Sequence, residues 1–131
     1  RGWNITASKW LRDYIYIPLG GSRKGNVYLN LMTTMMVAGL WHAFKLNFVI
    51  WGAWHGLGLI VSRYLYNRRK ASGESEPSLT ASALRSRLLW LLGVLITFHF
   101  VTLGWVFHHN GYRGIGALNS LQMIAHMLGL R

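Results

Sequence analysis

The chemistry this sequence can offer is carried by histidines. His42 lies in Gly39-Leu-Trp-His-Ala43 and His55 in Trp51-Gly-Ala-Trp-His-Gly56, both inside apolar runs. An ionisable group in such a run is costly and points to function by default. A neutral imidazole can take a proton from an alcohol, so general-base chemistry on a hydroxyl is open to either residue. A packed, hydrogen-bonded histidine is the competing reading, and both stay open. His99 sits deep in a third run, and His108-His109 at its end reads as an exposed interfacial pair. Neither run around His42 and His55 holds Asp, Glu or Cys, so two imidazoles alone make a poor metal site and none is expected. A serine triad also fails: Asp13 is the only aspartate, and no serine sits in a nucleophile elbow. Cysteine is absent. Pro18-Leu-Gly-Gly-Ser-Arg-Lys-Gly25 is a basic, glycine-rich loop without Walker spacing. Its backbone amides with Arg23 and Lys24 could hold a phosphate, or it is a plain cytoplasmic anchor.

The elements around these residues follow from composition. The 131 residues carry 14 Lys+Arg against 3 Asp+Glu, a formal charge of +11, yet 52% are hydrophobic and mean hydropathy is +0.24. A disordered cationic tail needs low hydrophobicity. A soluble nucleic-acid binder needs a polar basic surface, and too few polar residues remain to build one; no nucleic-acid partner is expected. Seven Trp, six Tyr and five Phe suit membrane interfaces. The chain opens with Arg1, shows no signal-peptide pattern, and reads as a piece of a longer protein.

Three apolar runs, 27–44, 48–65 and 88–107, are each near the length that crosses a bilayer as a helix, and no proline interrupts them. Buried helices of a large soluble protein are the alternative. Basic residues cluster before the first run (Arg23, Lys24) and around the 66–87 segment (Arg63, Arg68, Arg69, Lys70, Arg85, Arg87). Lys45, Arg113 and Arg131 are the few on the other side. The positive-inside rule then puts the 20–26 and 66–87 loops in the cytoplasm and the Lys45 turn outside. Residues 71–83, small and polar with both glutamates, read as a flexible part of that second loop. Gly52-x-x-x-Gly56 fits close helix approach, with His55 turned toward a neighbouring helix. Residues 115–130 read as a short outer helix or the start of a fourth span. Within the 1–26 segment, Thr6 or Ser8 could cap a helix through Tyr16, with Trp10, Tyr14 and Ile17 on one side. That pattern is an amphipathic interfacial or re-entrant helix. The expected fold is all-α: a polytopic helical membrane protein with about three transmembrane helices here, forming a single partial domain over 1–131.

An ordered set of motifs then resembles the membrane-bound O-acyltransferase (MBOAT) family, nearest its alginate O-acetyltransferase branch and its C-terminal half. The set is Trp3-Asn-Ile-Thr-Ala-Ser-Lys-Trp-Leu-Arg-Asp-Tyr-Ile-Tyr-Ile-Pro-Leu-Gly-Gly-Ser-Arg-Lys-Gly25, Tyr28-Leu-Asn30, Gly39-Leu-Trp-His42, Trp51-Gly-Ala-Trp-His-Gly56 and Gly104-Trp-Val-Phe107. The resemblance implies a helical membrane fold pierced by a tunnel, with His42 and Asn4 as catalytic residues, Asn4 near the same tunnel to position the donor or steady the oxyanion. His55-Gly56 matches a further recurrent motif and is a possible supporting site. Three departures stand out: Asn4 where many relatives have His, Ala43 where glycine is usual, and His108-His109 where Phe-Arg is usual. Asn4 can orient or donate but cannot take up a proton.

The implied activity is acyl transfer, acetyl being the expected group, from a cytoplasmic thioester to a hydroxyl of an exported or cell-envelope polysaccharide. Arg23 and Lys24 could meet donor phosphates. The donor is acyl-CoA or a carrier-protein thioester; no bound cofactor is expected. Expected partners are membrane lipid, the acyl donor, and a polysaccharide acceptor or a periplasmic transferase. The expected location is the bacterial cytoplasmic (inner) membrane. The alternative is a non-enzymatic membrane module for transport or docking that keeps the fold. A histidine-lined proton path would need more intramembrane acids than are present.

Overall fold

The computed structural model describes residues 5–72 and 83–130, and these are all helix and connecting turns. α1 spans Ile5–Leu11 and continues as a wider π turn over Arg12–Tyr16; α2 spans Val27–His42, α3 Leu46–Ala71, α4 Ala83–Arg113 and α5 Ala117–Met127.

Thr6 and Ser8 lie inside α1 and not at its cap, which corrects the capping expectation. Trp10 and Tyr14 stack side by side at 5.7 Å between ring centroids, on an exposed face. The opposite face, with Ser8, Leu11 and Tyr16, borders a cleft of about 190 Å³ against Leu31, Thr34 and Met35 of α2. The glycine-rich turn then folds back. Gly20 has φ +109°, and a Cβ there would run into the Lys24 carbonyl, so the turn needs glycine. Asn30 of α2 secures it, donating to the Gly21 carbonyl at 2.9 Å and the Lys24 carbonyl at 3.3 Å. Asn26 caps α2, its side chain accepting from the Tyr28 and Leu29 amides.

α3 lies between α2 and α4, and glycines set how close they come. A Cβ on Gly52 would strike the Met35 carbonyl, and one on Gly39 would strike the Phe48 carbonyl. A Cβ on Gly56 would sit 2.9 Å from Met32 Sδ. On the other side of α3, a Cβ on Gly104 would lie 2.9 Å from Trp54 and 3.2 Å from His55 Nε2. The expected small-residue seam is therefore real, and it faces α2. His55 turns instead toward α4.

Several boundaries differ from the sequence reading. α2 ends at His42, with Ala43 extended, so the first run is cut short of Phe44. Its 16 residues rise about 24 Å, less than the hydrocarbon thickness. α3 is 26 residues long, but His55, Arg63 and its basic last turn dilute its apolar character. Among the described residues one helix segment, Arg87–Arg113, is long and apolar enough to cross a membrane by length and composition. The 66–87 segment is not all loop: α3 runs on through Ala71 and α4 starts at Ala83, because Arg, Lys and Ala extend helices readily. The flexible stretch expected over 71–83 falls mostly outside the described residues. At the C-terminal end an 11-residue helix, α5, forms, too short for a span.

Among the described residues the buried apolar core is small: Ala38, Phe48 and Phe107. Leu88 to Phe98 of α4 turn large apolar side chains outward nearly all round. Polar groups on that stretch are satisfied within the helix. Thr97 and Thr102 each donate to the carbonyl four residues back at 2.8 Å, and His99 Nδ1 meets the Leu95 carbonyl at 2.8 Å.

Candidate active site

His42 is the last residue of α2, and α3 begins after three intervening residues. That short turn brings Phe48 and Trp51 of α3 back against the imidazole. The His42 ring stacks on Phe48 at 5.8 Å and 19°, and meets the edge of Trp51 at 5.3 Å and 88°. α4 closes the third side. His108 packs edge-on at 4.8 Å, and Tyr112 Oη lies 3.3 Å from His42 Nδ1. Nε2 has no hydrogen-bond partner among the described residues. The imidazole is thus gripped by aromatic rings on several sides, anchored at one nitrogen, and only partly buried.

A polar clasp holds the α4 end in this position. Lys45 Nζ donates to the Gly111 carbonyl at 3.0 Å. Asn47 Nδ2 reaches the Phe107 and Ile115 carbonyls and Ser120 Oγ, at 3.1 to 3.3 Å. Asn110 Nδ2 donates to the same Ser120 Oγ at 3.1 Å. Phe48 and Ser120 are fully buried and Asn110 nearly so, so these bonds form out of water, where an unpaired amide would be costly.

His55 lies one turn further along α3 from Trp51. Their rings meet at 4.8 Å, and Phe100 of α4 abuts His55 at 6.0 Å. His55 Nε2 and Trp51 Nε1 are both buried with no hydrogen-bond partner among the described residues. Trp51 also touches His108 at 5.1 Å, so a chain of rings links His42, His108, Trp51 and His55. The structure therefore brings two of the sequence-derived residues, His42 and His55, to one seam.

His108 corrects the reading of an exposed pair: it is part-buried against His42, Trp51, Trp105 and Tyr112, while His109 is exposed. Sequence reasoning also missed Tyr112. Seventy positions separate it from His42, and no local pattern signals the pairing. The one available signal was helical spacing, since His108 and Tyr112 are four apart and share a face of α4. Asn4 lies outside the described residues. Arg23 and Lys24 are exposed at the opposite end of α2, about 24 Å from His42 by helix rise. They lie apart from the His42 cluster. Among the described residues no three His, Cys, Asp or Glu side chains converge as a metal would need.

The described residues are thus all helix and turn with one membrane-length apolar helix, and they hold a histidine packed among aromatic rings at a helix end, with no partner for Nε2 among those residues. The family profile of the membrane-bound O-acyltransferases matches residues 1–103, and the chain belongs to that family. It is 43% identical over 108 residues to a probable alginate O-acetylase of Pseudomonas syringae pv. tomato, covering 81% of this chain and 18% of that protein. It is 36% identical to a peptidoglycan O-acetyltransferase of Helicobacter pylori, covering 99% of this chain and 22% of that protein. A teichoic acid D-alanyltransferase of Streptococcus thermophilus is 26% identical over 79% of this chain. The chain spans about a fifth of the length of the two acetyltransferase-type relatives. No solved structure matches it.

Proposed function

We propose that the protein carrying this chain is an O-acyltransferase of the bacterial cytoplasmic (inner) membrane. It moves an acyl group, acetyl in the first instance, from a cytoplasmic thioester to a hydroxyl of an exported or cell-envelope polysaccharide. The observation that carries this is His42: an imidazole fixed by Phe48, Trp51 and His108, bonded at Nδ1, with Nε2 left to accept a proton. The names of the relatives support the reaction class, since alginate and peptidoglycan O-acetylation and teichoic acid D-alanylation all acylate envelope or exported polymers.

In this reading α2, α3 and α4 all cross the membrane within the complete protein. α2 is short for the task, but its partners α3 and α4 and the helices encoded elsewhere shield its ends. Residues 1–26 lie at the cytoplasmic interface, and 1–131 is one part of a larger membrane domain. Arg23 and Lys24 meet the donor's phosphates there, whether the donor is acyl-CoA or a carrier-protein thioester. The acyl chain reaches His42 at the far end of α2. The apolar walls exclude water, which protects the thioester from hydrolysis. Asn4 hydrogen-bonds the donor carbonyl, and His55 supports the wall beneath His42. The acceptor is a polysaccharide hydroxyl or that of a periplasmic transferase that carries the group onward. No metal has a part in these steps.

The test is ester-linked acetate on envelope and secreted polysaccharide. Cells lacking the protein are complemented with the full-length form or with His42→Ala at matched membrane abundance. Acetate restored by the first and absent with the second is the expected result. Equal acetate from both would make His42 structural. Acetate from neither would turn attention to a docking role.

A further inference from the structure

We propose that Tyr112 is the positioning residue of His42: its phenolic oxygen accepts a hydrogen bond from Nδ1–H, which leaves Nε2 as the proton-accepting nitrogen. The inference rests on the reading of His42 as the general base.

A neutral imidazole carries one N–H, and the partner of one nitrogen decides the state of the other. His42 Nδ1 has one partner among the described residues, the Tyr112 hydroxyl at 3.3 Å. The ring cannot easily turn away from it, because Phe48 lies along one face while Trp51 and His108 press on it with their edges. Tyr112 is itself held. Its ring packs on Phe48 at 5.1 Å and on His108 at 5.1 Å. The residues just before it are clamped, Gly111 by Lys45 and Asn110 by Ser120. Gly111 lets this happen, since a Cβ there would lie 2.9 Å from the Phe48 ring. Tyr112 also falls beyond residues 1–103, the part matched by the family profile.

With Nδ1–H donated to Tyr112, the reaction balances at Nε2. The acceptor hydroxyl gives its proton to Nε2 as its oxygen bonds to the thioester carbonyl carbon. The C–S bond then breaks, and the departing sulfur takes the proton back from Nε2. Were the Tyr112 hydroxyl to donate to Nδ1 instead, the imidazole proton would sit on Nε2 and no lone pair would face the acceptor.

The test compares Tyr112→Phe, His42→Ala and the double variant in the full-length protein, in membranes at matched abundance, with kcat and KM measured for donor and acceptor. The expected result is a fall of about tenfold in kcat for Tyr112→Phe, the size of one lost hydrogen bond, with both KM values unchanged. The residual rate of His42→Ala should not fall further when Tyr112→Phe is added, because the tyrosine acts through the histidine. Nitrogen-15 histidine spectra should show the His42 signal moving from the Nδ1–H toward the Nε2–H form in Tyr112→Phe. A parental kcat in Tyr112→Phe, with His42→Ala inactive, would overturn the proposal while leaving the base assignment standing. So would a further loss in the double variant, which would make Tyr112 a structural or substrate contact. Parental activity in His42→Ala would instead remove the base assignment itself, and Tyr112's role with it.

Discussion

Asn47 and Ser120 meet in the interior, with the Asn47 amide donating to the Ser120 hydroxyl at 3.1 Å, so that the first turn of α3 is tied to the first turn of α5. Asn110 of α4 donates to the same oxygen at 3.1 Å, and the hydroxyl's own proton goes to the Gly116 carbonyl at 3.2 Å. One small side chain therefore joins three helices at the end of the molecule where His42 sits.

Ser120→Ala should loosen that junction. Asn47 keeps two carbonyl acceptors, but among the described residues Asn110 keeps only Met123 Sδ, a weak one. The expected cost is about 1–3 kcal/mol, from a buried donor left poorly paired. It should appear as a lower Tm in detergent and faster amide exchange across α5. Acyl transfer should weaken too, because the same junction steadies Tyr112 and His108. Unchanged exchange in α5 would show that apolar contacts alone hold it.

Glycine substitutions should separate packing from propensity. Gly52→Leu puts a side chain where the Met35 carbonyl lies, so α2 and α3 must part and membrane abundance should collapse. Gly93→Ala is the opposite case, since a Cβ there meets nothing within 4 Å. It should be neutral or stabilising by up to about 1 kcal/mol from helix propensity. Immunoblots of membrane fractions with thermal melts decide both. A well-expressed, stable Gly52→Leu protein would refute the close α2–α3 seam.

Much of this arrangement was legible in the sequence and part was not. The apolar runs marked α2, α3 and α4, and Gly52 and Gly56 marked a packed face, because periodicity and small residues act locally. Helix ends were less visible. Nothing in Trp41-His-Ala-Phe-Lys45 announces that the chain turns extended at Ala43, since neither Gly nor Pro stands there. The helical continuation over 66–71 was masked by its charge, which reads as loop although Arg and Lys suit a solvated helix. Tyr112 and His108 escaped for a different reason. Their spacing of four puts them on one face of α4, but their approach to His42 depends on how α4 leans on α3, a tertiary fact that spacing alone does not reveal.

Asp13→Asn should leave stability unchanged near neutral pH. Asp13 receives a hydrogen bond from Arg12 Nε at 2.7 Å, and that bond holds the carboxyl below its usual range. The sign follows: whatever the pair adds is present above the ordinary carboxylate range and is lost as pH falls through the lowered value. Both groups are exposed, so water screens most of it. Tm values of the parent and Asp13→Asn should coincide at pH 7. A clear drop in the variant would place Asp13 against a partner beyond the described residues.

The two tryptophans of Trp51-Gly-Ala-Trp54 should respond unequally to Phe. Trp54 Nε1 donates to the Phe100 carbonyl at 2.9 Å, and its ring stacks on Phe100 at 4.8 Å. Trp54→Phe keeps some stacking but deletes that bond between α3 and α4, and should cost about 1 kcal/mol or more with the lost ring volume. Trp51 Nε1 is buried but has no partner among the described residues. Removing it takes away an unpaired donor, so the loss of ring volume is offset and Trp51→Phe should cost less than Trp54→Phe. Melts of the two variants in one detergent give the comparison. If Trp51→Phe proves the more damaging, and damages acyl transfer more than Tm, then its indole N–H is bonded in the working enzyme. Beside His42, at 5.3 Å, the thioester carbonyl would be the group to look for.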